Sequence, residues 1–147
     1  LGRVVSELRD LPPEGEWVDH PCCCIAASEE TIRTRGPALK VFLKLILLST
    51  DLIHRDPDTA VRRASEWTRY DLAVERMSVP TVHYVAEPTD IWLAGMRTWW
   101  RMARDMELFT GRYADSTREE FLEEVCSLEL CRGAAAELRA AGLLGPK

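Results

Sequence analysis

Three consecutive cysteines, Cys22, Cys23 and Cys24, form the densest group of reactive side chains in the sequence. On a β-strand, Cys22 and Cys24 would face the same side, and His20 could add a nitrogen ligand to a metal bound there. The Cys-x-x-Cys spacing typical of structural zinc sites is absent from this run. Buried cysteines also commonly pack as small apolar side chains. The run therefore favours core packing, with a metal or redox site as the alternative.

Three tryptophans and three arginines lie along a predicted helix that covers about residues 90–109. They are Trp92, Trp99, Trp100, Arg97, Arg101 and Arg104. Trp92 and Trp99 share one stripe with Met96, which favours core packing over a stacking platform for a sugar or a base, and Trp100 is predicted to be partly exposed. The arginines lie on another side, which is more typical of a solvated helix face than of a site for an anion or an acidic partner.

The remaining chemistry-bearing residues fit no enzyme motif. The sequence has no serine elbow, no phosphate-binding glycine loop and no His-Glu-x-x-His pattern. Cys126 and Cys131 are five residues apart, which is beyond disulfide reach on one continuous helix, so a bridge would need a helix break between them. His54 is predicted near a helix C-terminus, where it complements the helix dipole. Nothing in the sequence requires an enzyme.

Composition excludes two broad classes of function. The chain has 147 residues, of which 46% are hydrophobic and 29% charged, and this predicts one globular domain. The formal net charge of −5 argues against a general nucleic-acid-binding surface. The most apolar stretch, residues 39–53, contains three charged residues and falls short of the ~20 residues that a membrane-spanning helix needs.

The first third of the chain is predicted to contain the strands. A brief strand near Val4 and Val5 is followed by a proline-rich connection to Pro21. The apolar run of residues 22–27 predicts a strand that is buried on both faces. Ser28 caps a short predicted helix over residues 29–35, which Gly36 and Pro37 end.

The rest of the chain is predicted to be helical. A long core helix covers about residues 37–55, because its apolar residues recur along one face at Val41, Leu45, Leu48 and Leu52. Further helices are predicted over about residues 57–69, 72–77, 90–109, 117–125 and 134–141, with an extended connection over residues 78–88. Ser116 and Glu119 are predicted to form the capping box that opens the helix over residues 117–125. The sum is six or seven helices with one or two short strands.

Three segments resemble one protein family when they are taken in order. They are DHPCCCIAASEE at residues 19–30, PALK at residues 37–40 and HRDPDTA at residues 54–60. This series resembles the C-terminal half of the nitrate/sulfonate/taurine-type substrate-binding proteins of ABC importers. In that family a buried His-Pro-Cys-Cys strand precedes an acidic capped helix, a long apolar helix after a proline, and a helix that begins near Asn-Pro or Asp-Pro. The resemblance covers most of residues 3–130.

The resemblance implies an α/β fold, in which this chain is a mostly helical partial lobe of a periplasmic-binding-protein-like structure. Residues 1–21 would form a hinge crossing and linker, and residues 22–147 the C-terminal part of the first lobe. Family members are about twice as long, so the N-terminal strands and the second lobe would be absent from this chain. Because the predicted strand would then be exposed, we expect association with another copy or strand exchange.

The resemblance also implies a function in transport rather than catalysis. A small molecule such as nitrate or a sulfonate would be captured by hinge closure and delivered to the membrane permease of an ABC importer, with no nucleic acid and no cofactor. The chain would lie in the periplasm or another extracytoplasmic space, anchored to the membrane through a preceding N-terminal segment. Asp19, His20, His83 and Tyr84 would contact the ligand, although packing in loops remains the alternative for each of them.

Two further interpretations stay open. A related branch, which makes or binds the pyrimidine precursor of thiamine, carries a Cys-Cys-Cys-Phe-Cys motif associated with iron. Here Ile25 and Ala26 replace its aromatic residue and its fourth cysteine. That resemblance implies an enzyme with iron held by Cys22, Cys24 and His20. The third interpretation is a helical sensor or interaction domain without transport.

Overall fold

The computed structural model describes residues 3, 5–18 and 20–145, and within that part of the chain the regular elements are helices. The six α-helices are α1 (Glu29–Arg55), α2 (Pro57–Thr68), α3 (Leu72–Ser78), α4 (Asp90–Asp105), α5 (Arg118–Val125) and α6 (Glu129–Ala140). Short 3-10 turns lie at Leu8–Asp10, Val79–Thr81 and Gly111–Tyr113. The chain divides into two compact units. The first joins the residues up to Ala26 with Pro88–Ser127, and the second joins Ala27–Glu87 with the residues from Leu128 onward.

The α/β prediction is wrong, because no strand or sheet occurs among the residues that the structure describes. Residues 22–27 are irregular and exposed to solvent. A second strand was predicted near Val4 and Val5. Val4 lies outside the described residues, and Val5 has no regular secondary structure and is exposed. The physical reason is that a strand needs partners for its backbone groups. A segment of strand-like composition therefore stays irregular where no other segment pairs with it.

The N-terminal part of α1 follows the predicted capping. Ser28 is its N-cap, and the Ser28 hydroxyl accepts a hydrogen bond from the Thr31 amide at 3.2 Å. The helix continues through Gly36 and Pro37, where a break was predicted, but it is kinked, because Arg35 has non-helical angles (φ −127°, ψ 21°). Proline lacks an amide hydrogen and crowds the preceding turn, which accounts for a kink at this position. The two predicted helices therefore meet at a kink at Arg35, directly before the predicted break.

The second unit has its core between α1 and α6. Leu47, with 3% of its surface exposed, packs with Ala134, Ala135 and Leu138 of α6. The two alanines are fully buried, and their small side chains let the α1 side chains approach the α6 backbone closely. Leu47 thus lies at the centre of the contact between two helices that are far apart in the sequence.

The predicted core face of α1 is largely wrong. Val41, Leu45 and Leu52 are exposed, and of the four predicted residues Leu48 packs at the edge of the core. The side that carries Leu47 packs against α6 instead. Two lysines flank that buried side, Lys40 and Lys44, and the carboxylate of Glu137 on α6 pairs with both of them. Apolar spacing did not indicate this face, because the two lysines interrupt it. The ion pairs allow a lysine-bearing side to lie against another helix.

Local capping places α2 and α3 close to their predicted bounds. The Asp56 carboxylate accepts from the Thr59 amide at 3.0 Å, with Pro57 in the first turn of α2. The Asp71 carboxylate accepts from the Ala73 amide at 2.7 Å and begins α3. Both starting points are confirmed. They are set by residues within a single turn of the helix that they begin.

The predicted bounds of the later elements need correction. The connection over residues 78–88 is not fully extended, because Val79–Thr81 forms a 3-10 turn. Helix α4 begins after Thr89 as predicted, but it ends at Asp105, about four residues before the predicted end. Glu107, two residues after the helix, has a positive φ of 55°. The capping box of α5 joins Thr117 to Glu120, one residue later than predicted. Helix α6 begins five residues before the predicted position.

Aromatic rings connect α4 to α5 in the first unit. The ring centroids of Phe109 and Phe121 are 4.8 Å apart, and those of Tyr113 and Phe121 are 5.5 Å apart. Trp100 of α4 lies 6.2 Å from Phe109. The Trp100 indole nitrogen is buried without a hydrogen-bond partner among the described residues. This ring cluster holds the C-terminal end of α4 in place.

The pairing of Glu137 makes the stability of the second unit depend on pH. Hydrogen bonds from Lys40 and Lys44 lower the pKa of Glu137 from the ordinary 4.5 to about 2. Because the folded-state pKa is the lower one, this carboxylate stabilises the fold fully above its unfolded pKa. That contribution is lost as the pH falls through the folded pKa.

We expect Glu137→Gln to flatten the acid dependence of stability. The measurement is the free energy of unfolding in urea at intervals from about pH 2 to about pH 7. Wild-type stability should decline more steeply below about pH 4.5 than that of the variant. The control is Glu66→Gln, which removes a carboxylate paired with Arg63 inside α2. Identical slopes for wild type and Glu137→Gln would contradict the ion-pair account.

Candidate functional site

The described residues of the segment from Glu16 to Pro21, which are 16–18 and 20–21, lie along α4 in the first unit. Glu16 forms an ion pair with Arg101, and the Trp17 ring meets the Trp99 ring edge-on, with centroids 5.3 Å apart. Pro21 lies against Gly95. Increasing residue numbers in the segment thus match decreasing residue numbers on the helix, so the two run in opposite directions.

Gly95 permits this close approach. It is the buried residue of α4, and a Cβ atom built there would overlap Pro21 Cδ and lie 3.5 Å from the Cα atom of His20. Any side chain at position 95 would therefore push the Glu16–Pro21 segment away from the helix. The sequence signal for this contact is a glycine inside an otherwise helical pattern, which typically marks a close approach of another segment.

His20 is held by Trp17 through two contacts. Its Nδ1 atom lies 2.7 Å from the Trp17 carbonyl oxygen, and the two rings meet nearly perpendicularly with centroids 6.0 Å apart. Because a carbonyl can only accept, Nδ1 carries the proton and donates. In the neutral ring Nε2 then has a lone pair that can accept a hydrogen bond. The Trp17 indole is itself anchored, because its Nε1 donates to the Pro12 carbonyl at 3.1 Å.

Trp17, His20, Trp99 and Arg101 form what we call the aromatic site. Trp17 is buried, with 6% of its surface exposed, whereas Trp99 is 40% exposed. The core position predicted for Trp99 is therefore wrong, because Trp17 covers only part of its ring. The Arg101 side chain is also partly exposed. These residues are linked through Trp17 and its neighbour Glu16, and they carry an indole, an imidazole nitrogen and a guanidinium group, which are groups that bind small polar or anionic molecules.

The other predicted ligand residues are Asp19, His83 and Tyr84. Asp19 lies outside the described residues. His83 is exposed and Tyr84 is half-buried, and both belong to the second unit, whereas His20 belongs to the first. The Tyr84 carbonyl oxygen lies 2.9 Å from Nε2 of His54, which donates to it. His54 therefore ties the 78–88 connection to the end of α1, a contact that the sequence analysis missed.

The cysteines are all free thiols. Cys22, Cys23 and Cys24 are exposed, so the predicted core packing is wrong, because no sheet covers residues 22–27. The Sγ atoms of Cys22 and Cys23 lie 3.8 Å apart, and this hydrogen bond, together with partial burial, raises the pKa of Cys22. Burial, followed by the charge of the Cys24 thiolate, raises the pKa of Cys126.

The proposed iron ligands are not assembled. Among the residues that the structure describes, no three His, Cys, Asp or Glu side chains are grouped so that they could hold a metal ion. This includes the predicted set of Cys22, Cys24 and His20. The helix break that a bridge between Cys126 and Cys131 would need is present, because α5 ends at Val125 and α6 begins at Glu129. Instead, the Cys131 thiol donates to the Ala86 carbonyl at 3.4 Å.

Comparison with known proteins gives no relative. No protein-family model, no curated protein and no solved structure matches this chain. Within the described residues, no helix has the length and apolar character that crossing a membrane requires.

We expect Gly95→Ala to displace the Glu16–Pro21 segment and to destabilise the first unit by about 1–3 kcal/mol, the usual cost of overpacking. The gain in helix propensity, about 0.5–1 kcal/mol, opposes this but is smaller. The measurement is urea unfolding followed by tryptophan fluorescence, which reports on Trp17 and Trp99 directly.

The matched control is Gly133→Ala in α6. There the new methyl group meets only the flexible end of Lys40 at 3.3 Å, so the chain should keep or gain stability. Equal effects of the two substitutions would show that Gly95 is not a point of close contact.

Proposed function

We propose that this chain binds a small polar or anionic solute at the aromatic site, as the receptor component of an importer does. The observation that carries the proposal is the fixed orientation of His20, whose Nδ1 is committed to the Trp17 carbonyl at 2.7 Å. A ring fixed through one nitrogen presents its other nitrogen in a defined direction, which reduces the entropy lost when a ligand binds.

The neighbouring groups suit such a solute. Arg101 has five N–H donors, and its ion pairs with Glu16 and Asp105 still leave donors for an anionic group. The partly exposed Trp99 indole offers apolar area beside these polar groups. Sulfonates and nitrate combine a compact negative charge with several acceptor oxygens, so they match a guanidinium group well.

The importer role is supported by the ordered resemblance described above, apart from its buried strand, which does not form at residues 22–27. In the family that the sequence resembles, the part of the chain that corresponds to His20 lies where the hinge crossing meets the ligand. On this proposal the chain acts outside the cytoplasm, passes its solute to a membrane permease and carries out no chemistry on it. The iron-dependent enzyme and the sensor domain stay predictions. Among the described residues, the predicted iron ligands of the enzyme are not grouped.

We expect one class of small anion to raise the melting temperature of the chain. A ligand that binds only the folded state at about 100 times its Kd stabilises that state by about 2.7 kcal/mol, which corresponds to several degrees for a chain of this size. The measurement is a thermal-shift screen with sulfonates, nitrate, bicarbonate, pyrimidines and amines, followed by calorimetric titration of any compound that stabilises the chain.

Two substitutions at the aromatic site should weaken that binding by about tenfold or more, because each removes a polar or stacking contact worth ~1.5–3 kcal/mol. They are His20→Ala and Trp99→Ala. The control is Trp67→Ala, since Trp67 is 86% exposed and belongs to the second unit. The proposal is refuted if no compound stabilises the chain, or if Trp67→Ala weakens binding as much as Trp99→Ala does.

A further inference from the structure

The outward side of α1 carries a regular apolar seam. Val41, Leu45, Leu48 and Leu52 are spaced by four, three and four residues, which is the a/d spacing of a coiled coil. Val41 is 59% exposed and Leu45 58% exposed, and Leu52 is also exposed. Leu48 is half-buried at the edge of the core. We call these four residues the α1 seam.

The charged residues that flank the seam favour a second copy of α1 as its partner. In heptad terms Leu45 and Leu52 are at position a, and Val41 and Leu48 are at position d. Lys44 and Asp51 then occupy successive g positions, one positive and one negative. In an antiparallel pair of helices, g residues meet g residues of the partner. A second copy of α1 would therefore bring each Lys44 to the other copy's Asp51.

The parallel arrangement is disfavoured by the same residues. There a g residue meets the partner's e position five residues later, so Asp51 would meet Asp56 of the other copy, the residue that directly follows α1 and caps α2. Two carboxylates would face each other, and this is unfavourable. The antiparallel arrangement also sets the bulky, exposed Phe42 at position e against the small Ser49 of the partner. The sizes of these side chains and their charges therefore both favour the antiparallel orientation.

The two charged residues can form these contacts without losing their own. Lys44 pairs with Glu137, but its ammonium group has three donors. Asp51 accepts a hydrogen bond from Arg55 Nε at 2.6 Å through one oxygen, so its other oxygen can accept from a partner. Both side chains are partly exposed at the boundary between the buried side of α1 and the seam.

We propose that the α1 seam is a dimerisation surface at which two copies of this chain pack antiparallel. The dimer would have twofold symmetry, with Leu45 of each copy against Leu48 of the other and Val41 against Leu52. This arrangement buries apolar side chains that the single chain leaves in water, and the two symmetric Lys44–Asp51 pairs fix its register.

Sedimentation equilibrium of the full chain tests the proposal, at concentrations from about 1 to about 300 µM. Wild type should show a reversible monomer–dimer equilibrium. Leu45→Glu should raise the dimer Kd more than tenfold, because it removes two buried leucines and places two carboxylates at the centre of the seam. The control is Val74→Glu on α3, an apolar residue of comparable exposure outside the seam, and it should leave the Kd unchanged. Far-UV circular dichroism checks that both variants keep their helix content.

Asp51→Lys tests the orientation. In the antiparallel dimer it sets the new lysine of each copy against Lys44 of the other copy and should raise the Kd about threefold or more. In a parallel dimer the same change would relieve the repulsion by Asp56 and lower the Kd. A chain that stays monomeric over the whole range, equal effects of Leu45→Glu and Val74→Glu, or tighter dimerisation of Asp51→Lys would each overturn the proposal.

Discussion

The packing of Leu47 between Ala134 and Ala135 is the contact on which the second unit depends. It joins two helices that are far apart in the sequence, and it is clamped by Glu137 between Lys40 and Lys44. Because a helix can bury only one side against a single neighbour, this contact also determines which side of α1 faces solvent. The exposed α1 seam is therefore a direct consequence of the α1–α6 packing.

The first unit depends on a similar use of a small residue. Gly95 lets the chain at Pro21 approach α4 closely, and that approach carries Trp17 and His20 to their places beside Trp99. In both units, a residue with little or no side chain on a helix surface determines where another segment packs. The candidate binding site and the candidate dimer surface thus arise from backbone proximity rather than from long runs of apolar residues.

Local features of the fold could be predicted from the sequence, because each is decided within one turn of helix. Ser28, Asp56, Asp71 and Thr89 cap helices as their residue types indicate. The face that α1 buries could not be predicted, because it depends on alanines about 90 residues later in the chain. The prediction of a strand over residues 22–27 was wrong because a strand also depends on a distant part of the chain. It forms only where a second segment pairs with it. Of the candidate site, His20 was identified through a family resemblance, whereas Trp17 and Gly95 act through contacts that apolar spacing does not reveal.

The central claim is that α1 buries its Leu47 side against α6 and leaves the α1 seam outside. Methyl NOE spectroscopy on a chain with labelled leucine and alanine methyl groups measures this directly, since an NOE requires two methyl groups within about 5–6 Å, comparable to packed side chains. The account predicts cross-peaks from Leu47 to the methyl groups of Ala134 and Ala135, and none from Leu45 to either alanine. Cross-peaks from Leu45 or Leu52 to these alanines, in place of those from Leu47, would contradict it.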